Sequence, residues 1–215
     1  MSEKEIIARR IAKEIKDGDV VNLGIGLPTM VADYVSSNID VVFHSENGFI
    51  GLDKVAKPEE EVEYYVNAGA QPITIKDDAA FFDSAMSFGI IRGGHVDITV
   101  LGGLQVDEKG NLANYMVPGK MVPGMGGAMD LVSGAKKVIV AMTHTAKGMP
   151  KILKECNLPL TGRGVVDMIV TELAVLEMTK DGLTLTEIHK DTTKEDVLAA
   201  IEADVNVADF LKTFG

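Results

Sequence analysis

Apolar residues recur at Ile7, Ile11 and Ile15, with Ile6 and Ala8 beside them, the spacing of one face of an amphipathic helix. Ser2-x-x-Glu5 stands ahead of that face as a capping box, and Asp17-Gly18-Asp19 interrupts it, so a helix is predicted between them. Val20-Val21-Asn22-Leu23 then runs into Gly24-Ile25-Gly26-Leu27-Pro28 and a helical stretch over 29–36, a strand–turn–helix sequence. The same order recurs where 39–43 leads into His44-Ser45-Glu46-Asn47-Gly48, where 96–101 meets Gly102-Gly103, and where 138–142 meets Thr143. Farther on, 104–106 and 112–115 flank Asp107-Glu108-Lys109-Gly110-Asn111 as a hairpin. Residues 165–170, 174–178 and 183–188 are β-rich, with Lys180-Asp181-Gly182 as a turn, and Thr192-x-x-Glu195 caps a last helix through Ala203.

Strands alternating with helices early and hairpins later predict one α/β domain, 1–215, with a mixed sheet. The length of 215 residues is enough to bury a substantial core, and 46% apolar with 25% charged residues excludes a disordered tail or a coiled coil. The net charge of −11 argues against nucleic acid or an anionic membrane surface as partner. The first residues hold no apolar signal segment, and no uncharged apolar run approaches the roughly 20 residues that span a bilayer. A reduced, cytoplasmic protein is expected. Its single cysteine, Cys156, can form no internal disulfide and reads as an inert thiol. His44, His95, His144 and His189 have no metal-ligand spacing, so no metal site is predicted.

Three segments stand where an open α/β sheet binds ligands, at strand ends and helix starts. Gly24-x-Gly26 lacks the third glycine of a dinucleotide fingerprint and reads either as a structural turn or as a ligand loop. Glu46, after the apolar Val41-Val42-Phe43, is either a solvated loop carboxylate or a base or nucleophile aimed into a cleft, and His44 reads as a packing residue. Pro123-Gly124-Met125-Gly126-Gly127-Ala128-Met129-Asp130 could bring backbone N–H groups close to a ligand oxyanion, with Gly93-Gly94 and Gly102-Gly103 adding to that impression. Met116, Met121, Met125 and Met129 are core fillers or the wall of a plastic acyl pocket.

Ser45-Glu46-Asn47-Gly48, with Gly24-x-Gly26-x-Pro28 upstream and Gly124-Met125-Gly126-Gly127-Ala128-Met129-Asp130 downstream, resembles the β subunit of family I coenzyme A transferases. The likeness runs essentially end to end and takes in Arg92-Gly93-Gly94-His95-Val96-Asp97, Gln105-Val106-Asp107 and Asn114. It is greatest to the short-chain acetoacetate, butyrate and acetate enzymes. The resemblance implies an open, mostly parallel mixed sheet with helices on both faces, a fold shared with ribose-5-phosphate isomerases.

The resemblance also implies a chemistry. Glu46 would be the nucleophile on an acyl-CoA thioester, passing through an acyl-glutamyl anhydride and a glutamyl-CoA thioester to a free carboxylate acceptor. Gly126 and Gly127 would supply oxyanion donors, and Asn22, Asn47 and Gly48 would orient the carboxylate or the acyl oxygen. Gly24, Gly26, Ala128 and Met129 would line the CoA and acyl loops. Coenzyme A is then a substrate, no cofactor is required, and an α subunit completes the site in an αβ or α2β2 complex. An acyl-CoA hydrolase using the same Glu, or a non-catalytic stabilising subunit, are the alternatives.

Overall fold

In the computed structural model, which describes residues 1–119 and 124–215, Ser2 caps helix α1 (Glu3–Ala12). Its Oγ accepts from the Glu5 N–H at 3.3 Å, and the Glu5 carboxylate accepts from the Ser2 N–H at 2.7 Å. α1 ends short of the predicted stop: the N–H groups of Glu14 and Ile15 reach back only to Ile11 and Ala12, which tightens the last turn. Met121 and Pro123, named above, lie outside the described residues.

The first strands are β1 (Val20–Leu23), β2 (Val42–Ser45), β3 (Phe49–Val55) and β4 (Ile73–Phe81). Helix α2 (Ser84–Arg92) leads to β5 (Ile98–Gly102), β6 (Gln105–Asp107) and β7 (Leu112–Ala113). Helix α3 (Ala128–Gly134) precedes β8 (Lys137–Ala141), β9 (Thr145–Ala146), β10 (Met149–Pro150), β11 (Ile152–Leu153) and β12 (Met168–Val170). The chain closes with β13 (Ala174–Thr179), β14 (Gly182–His189), α4 (Lys194–Ala199) and β15 (Asn206–Phe214).

Several boundaries differ from the sequence reading. The helix expected over 29–36 is a 3₁₀ helix, Leu27–Tyr34, entered from Gly26 at φ +88°. The strand expected over 39–43 is shifted to β2, which makes Glu46 the first residue beyond the strand. α4 is capped by Thr193, not Thr192; its Oγ accepts from the Asp196 N–H, and the helix stops at Ala199, before Ala203. β3, β4, α2 and β15 were not expected.

Ten strands form one sheet in the order β15-β14-β13-β12-β8-β5-β1-β2-β3-β4. The centre, β12-β8-β5-β1-β2, is parallel; antiparallel pairing follows on both sides, with β15 returning parallel to β14. The predicted hairpin forms as β6 and β7 but joins β11 in a separate three-stranded sheet. Asp107 closes it by accepting from the N–H groups of Lys109 and Asn111.

Strand alternation divides the core between the two faces of the large sheet. Val21, Phe43, Ile98 and Val100 pack under Ile7 and Ile11 of α1 and Val31 of the 3₁₀ helix. Leu101, Val138, Val140 and Ile169 pack under Ile91 of α2, Leu131 of α3 and Val197 of α4. Helices therefore cover both faces. Arg10 locks α1 to the sheet, donating to both Glu187 carboxylate oxygens at 2.6 and 2.8 Å and to Glu14, which also receives Lys137.

α2 and α3 approach closely because α3 ends in glycine: a Cβ at Gly134 would overlap the Ile91 carbonyl oxygen. Gly134→Ala must push the helices apart, and is expected to cost about 1–3 kcal/mol, the usual range for overpacking. Urea denaturation measures it; an unchanged midpoint would show that the helices slide without cost.

Candidate active site

Glu46 opens the turn between β2 and β3, and three sets of contacts hold that turn. The Gly48 N–H donates back to the Ser45 carbonyl at 3.0 Å. Gly48 has φ +123°, and a Cβ there would overlap the Phe82 carbonyl oxygen, so only glycine lets the turn pack against the end of β4. The Phe82 N–H in turn donates to the Gly48 carbonyl at 2.9 Å. The Asn47 amide is occupied on both sides, accepting from Ser45 Oγ at 2.6 Å and donating to the Val66 carbonyl at 2.9 Å. Asn47 and Gly48 thus shape the turn, and neither donates to the Glu46 carboxylate.

The carboxylate lies against the backbone that leads into α3. The Gly127 N–H donates to Glu46 Oε1 at 3.3 Å. A Cβ at Gly127 would stand 2.5 Å from Glu46 Oε2 and 3.1 Å from a ring carbon of Phe88. Gly126 adopts φ +52°, and a Cβ there would stand 3.1 Å from Oε1. Side chains at 126 and 127 would fill the place the carboxylate takes.

Glu46 looks into a cleft of about 540 Å³. Of the residues marked by the sequence, Asn22, Gly24, Gly126, Gly127 and Ala128 share its wall, while Gly26, Asn47, Gly48 and Met129 stand outside it. Gly102, Gly103 and Asn114 are also in the wall. Gly24 is held by its N–H to the Val100 carbonyl at 2.8 Å, and a Cβ would press on that oxygen at 3.1 Å. The structure therefore assembles three separated glycine segments around one carboxylate.

Asn22 does not reach Glu46. Its Nδ2 is 3.0 Å from His44 Nδ1 and 3.2 Å from the His44 carbonyl oxygen. His44 Nε2 is 3.2 Å from Ser87 Oγ on α2, and Ser87 Oγ donates to the Glu46 carbonyl at 2.9 Å. Asn22, His44 and Ser87 are 2%, 3% and 0% exposed, so this polar group is internal. Burial pushes the His44 imidazole down from 6.5 to about 4, which keeps it neutral. Sequence reading missed Ser87, whose one local signal is its place on a helix capped by Asp83. Cys156 is half-buried, and burial together with Asp107 pushes its thiol up to about 12, which leaves little thiolate for chemistry.

A family model described as coenzyme A transferase matches residues 4–200. The chain is 58% identical over 213 residues to the β subunit of the acetate CoA-transferase of Haemophilus influenzae, covering 99% of this chain and 95% of that one. The β subunit of the acetate CoA-transferase of Escherichia coli K12 is 56% identical over 214 residues, covering 99% and 98%. A subunit of the succinyl-CoA:3-ketoacid coenzyme A transferase of Helicobacter pylori is 49% identical over 205 residues, covering 95% and 99%. Among solved structures, an acyl-CoA transferase of Escherichia coli O157:H7 in a thioester complex with CoA superposes with a TM-score of 0.79 at 23% identity. All of this chain is covered, but it spans only 43% of that longer one, and the likeness bears on the fold alone. Among the described residues, no helix is long and apolar enough to cross a membrane.

The buried histidine has a thermodynamic consequence. Below 6.5 the unfolded chain takes up a proton at His44 that the folded chain refuses until about pH 4. The contribution is therefore intact above pH 6.5 and is lost progressively as the pH falls toward 4, by about 3 kcal/mol in all. His44→Gln is expected to flatten that part of the stability curve. Urea midpoints of the two proteins measured from pH 7 down to pH 4 check it, and parallel curves would contradict it.

Proposed function

We propose that this chain, which belongs to the coenzyme A transferase family, uses Glu46 as the nucleophile that carries CoA from a short-chain acyl-CoA to a free carboxylate. The observation that carries the reading is the Glu46 carboxylate seated against the Gly126–Gly127 backbone at the wall of a cleft. The relatives are named as single subunits of acetate and succinyl-CoA:3-ketoacid CoA-transferases. Acetoacetyl-CoA or butyryl-CoA as donor and acetate as acceptor are the substrates proposed here, with an α-type subunit as the partner that completes the site.

The reaction runs as two linked acyl transfers. A Glu46 oxygen adds to the thioester carbonyl and expels CoA thiolate, leaving an acyl-glutamyl anhydride. The thiolate returns to the Glu46 carbonyl carbon, releases the donor acid as its carboxylate, and leaves a glutamyl-CoA thioester. An acceptor carboxylate then runs the same two steps in reverse and restores Glu46. Negative charge develops on a carbonyl oxygen at each addition. The Gly127 N–H, which donates to Glu46 Oε1, is the donor we assign to that charge when the thiolate adds at the Glu46 carbonyl carbon.

Two requirements follow from this chemistry. The nucleophile must be fixed, because a carboxylate attacks weakly unless it is held close to the carbonyl. The backbone donor must keep its position, because it contributes only if it meets the charge as it forms.

The test uses the chain co-expressed with its α-type partner. Incubation with acetoacetyl-CoA and no acceptor, followed by hydroxylamine, should place a hydroxamate on Glu46 in the peptide mass spectrum. Full turnover by Glu46→Ala would sink the assignment and leave a non-catalytic subunit. Hydrolysis of acetoacetyl-CoA at the full rate without a carboxylate would make the enzyme a hydrolase instead.

Gly127→Ala probes the wall. Its methyl group takes the place of the carboxylate, so kcat/KM is expected to fall about 100-fold or more, in the range of losing one oxyanion donor. Steady-state kinetics on the folded complex measures it, and a loss below about threefold would contradict the role given to this backbone.

A further inference from the structure

We propose that His44 and Ser87 are positioning residues that hold the main chain of Glu46 through a one-way chain of hydrogen bonds, Asn22 to His44 to Ser87 to Glu46. The inference rests on the reading of Glu46 as the nucleophile and adds His44 and Ser87, which stand outside the wall of the cleft.

The direction of every bond follows from the atoms present. Asn22 presents one side-chain atom to both His44 Nδ1 and the His44 carbonyl oxygen, at 3.0 and 3.2 Å. A carbonyl oxygen only accepts, so that atom is the amide nitrogen, and its two hydrogens serve the two contacts. His44 Nδ1 then accepts, which puts the ring proton on Nε2. Nε2–H donates to Ser87 Oγ at 3.2 Å. The Ser87 hydroxyl keeps its own proton for the Glu46 carbonyl oxygen, 2.9 Å away, which again only accepts. No other assignment satisfies all four contacts.

The chain bridges elements far apart in sequence. Asn22 and His44 are paired across the parallel strands β1 and β2, and Ser87 comes down from α2 onto the same face. The turn at 46–48 is therefore held from beneath by the sheet and from above by a helix. Ser87 neighbours Phe88, whose ring limits the space at Gly127, so α2 holds the Glu46 main chain and also bounds the backbone on which its carboxylate rests. Removing the Ser87 hydroxyl frees the Glu46 carbonyl, and a displacement of about 1 Å at a reacting group can cost on the order of 100-fold in rate.

The experiment uses the co-expressed complex and acetoacetyl-CoA. Ser87→Ala is expected to lower kcat and the rate of hydroxylamine-trapped labelling at Glu46 by about tenfold or more, with KM for acetoacetyl-CoA within twofold. His44→Gln keeps an acceptor toward Asn22 and a donor toward Ser87, and should retain more activity than His44→Leu. In nitrogen-15 spectra of histidine-labelled wild type, which needs no variant to fold, His44 should show the Nε2–H neutral tautomer. The Nδ1–H tautomer would overturn the proposal, and so would labelling of Glu46 at the wild-type rate in a folded Ser87→Ala complex. If hydroxylamine labels no Glu46 in the wild type, the nucleophile reading fails and takes the positioning role with it. A labelled Glu46 whose rate ignores Ser87 sinks the positioning role alone.

Discussion

The carboxylate of Glu46 occupies space that only a glycine at position 127 leaves open. With a Cβ there, an oxygen of the carboxylate and the edge of Phe88 would both be within 3.1 Å of it. The rest of the local architecture keeps that gap at a fixed size. Gly126 turns through a left-handed conformation to bring the 127 N–H round to the acid. Gly134, at the other end of α3, lets the helix lie directly on the backbone of α2. The Arg92–Asp130 pair at 2.7 Å spans the same two helices, although its exposure makes it a minor contribution to stability. The carboxylate meets an unadorned backbone at one end of α3, and at the other end Gly134 lets the helix approach α2 with no side chain at that point.

A row of polar residues beneath that contact takes the place of hydrophobic core. On β5, β1 and β2 the residues paired in register are Thr99, Asn22 and His44, while their neighbours Ile98, Val21 and Phe43 pack on the opposite face. Burying polar groups in the middle of a parallel sheet is costly unless they bond one another. Asn22, His44 and Ser87 do so; the Thr99 hydroxyl, among the described residues, is left without a partner. Such a row is a poor way to stabilise a sheet and a good way to fix a geometry, since each bond has one allowed direction. Its end point is the main chain of the residue whose carboxylate faces the cleft.

Much of this was legible along the chain. The cap at Ser2, the strands before glycine turns and the mixed α/β architecture follow from local pattern, because capping and period-2 alternation are local physics. β3 and β4 escaped because their pairing shifts register between Ile50 and Leu52 and between Leu52 and Val55, which breaks the alternation. β15 escaped because it is largely exposed and its apolar residues, Val207, Ala208, Phe210, Leu211 and Phe214, do not alternate with its polar ones. Glu46 and the glycine segments could be named from motif spacing. The duty of Asn47 could not: its amide serves Ser45 and Val66, and the second contact depends on where the connection between β3 and β4 runs. Ser87 is a small polar residue on a short helix 41 positions from Glu46, and nothing local distinguishes it from a solvated serine.

A wall made of backbone has a chemical bias of its own. The Gly127 N–H is placed by φ and ψ, not by a rotamer, so on the proposed function it needs no reorganisation when charge appears on an oxygen. The glycines of that wall have no side chains with which to tell one acyl group from another. Discrimination would then fall, on the proposed function, to the apolar residues that share the cleft, Leu104, Met125 and Leu131 among them, and to whatever the proposed α-type partner adds. On the proposed function, rate and specificity fall to different parts of the site: glycine backbone around Glu46 for the bond-making steps, side chains farther along the cleft for the choice of acid. A substitution at Leu104 would, on that proposed function, alter which carboxylate is accepted while leaving the Glu46–Gly127 contact in place, since the two share only the cleft between them.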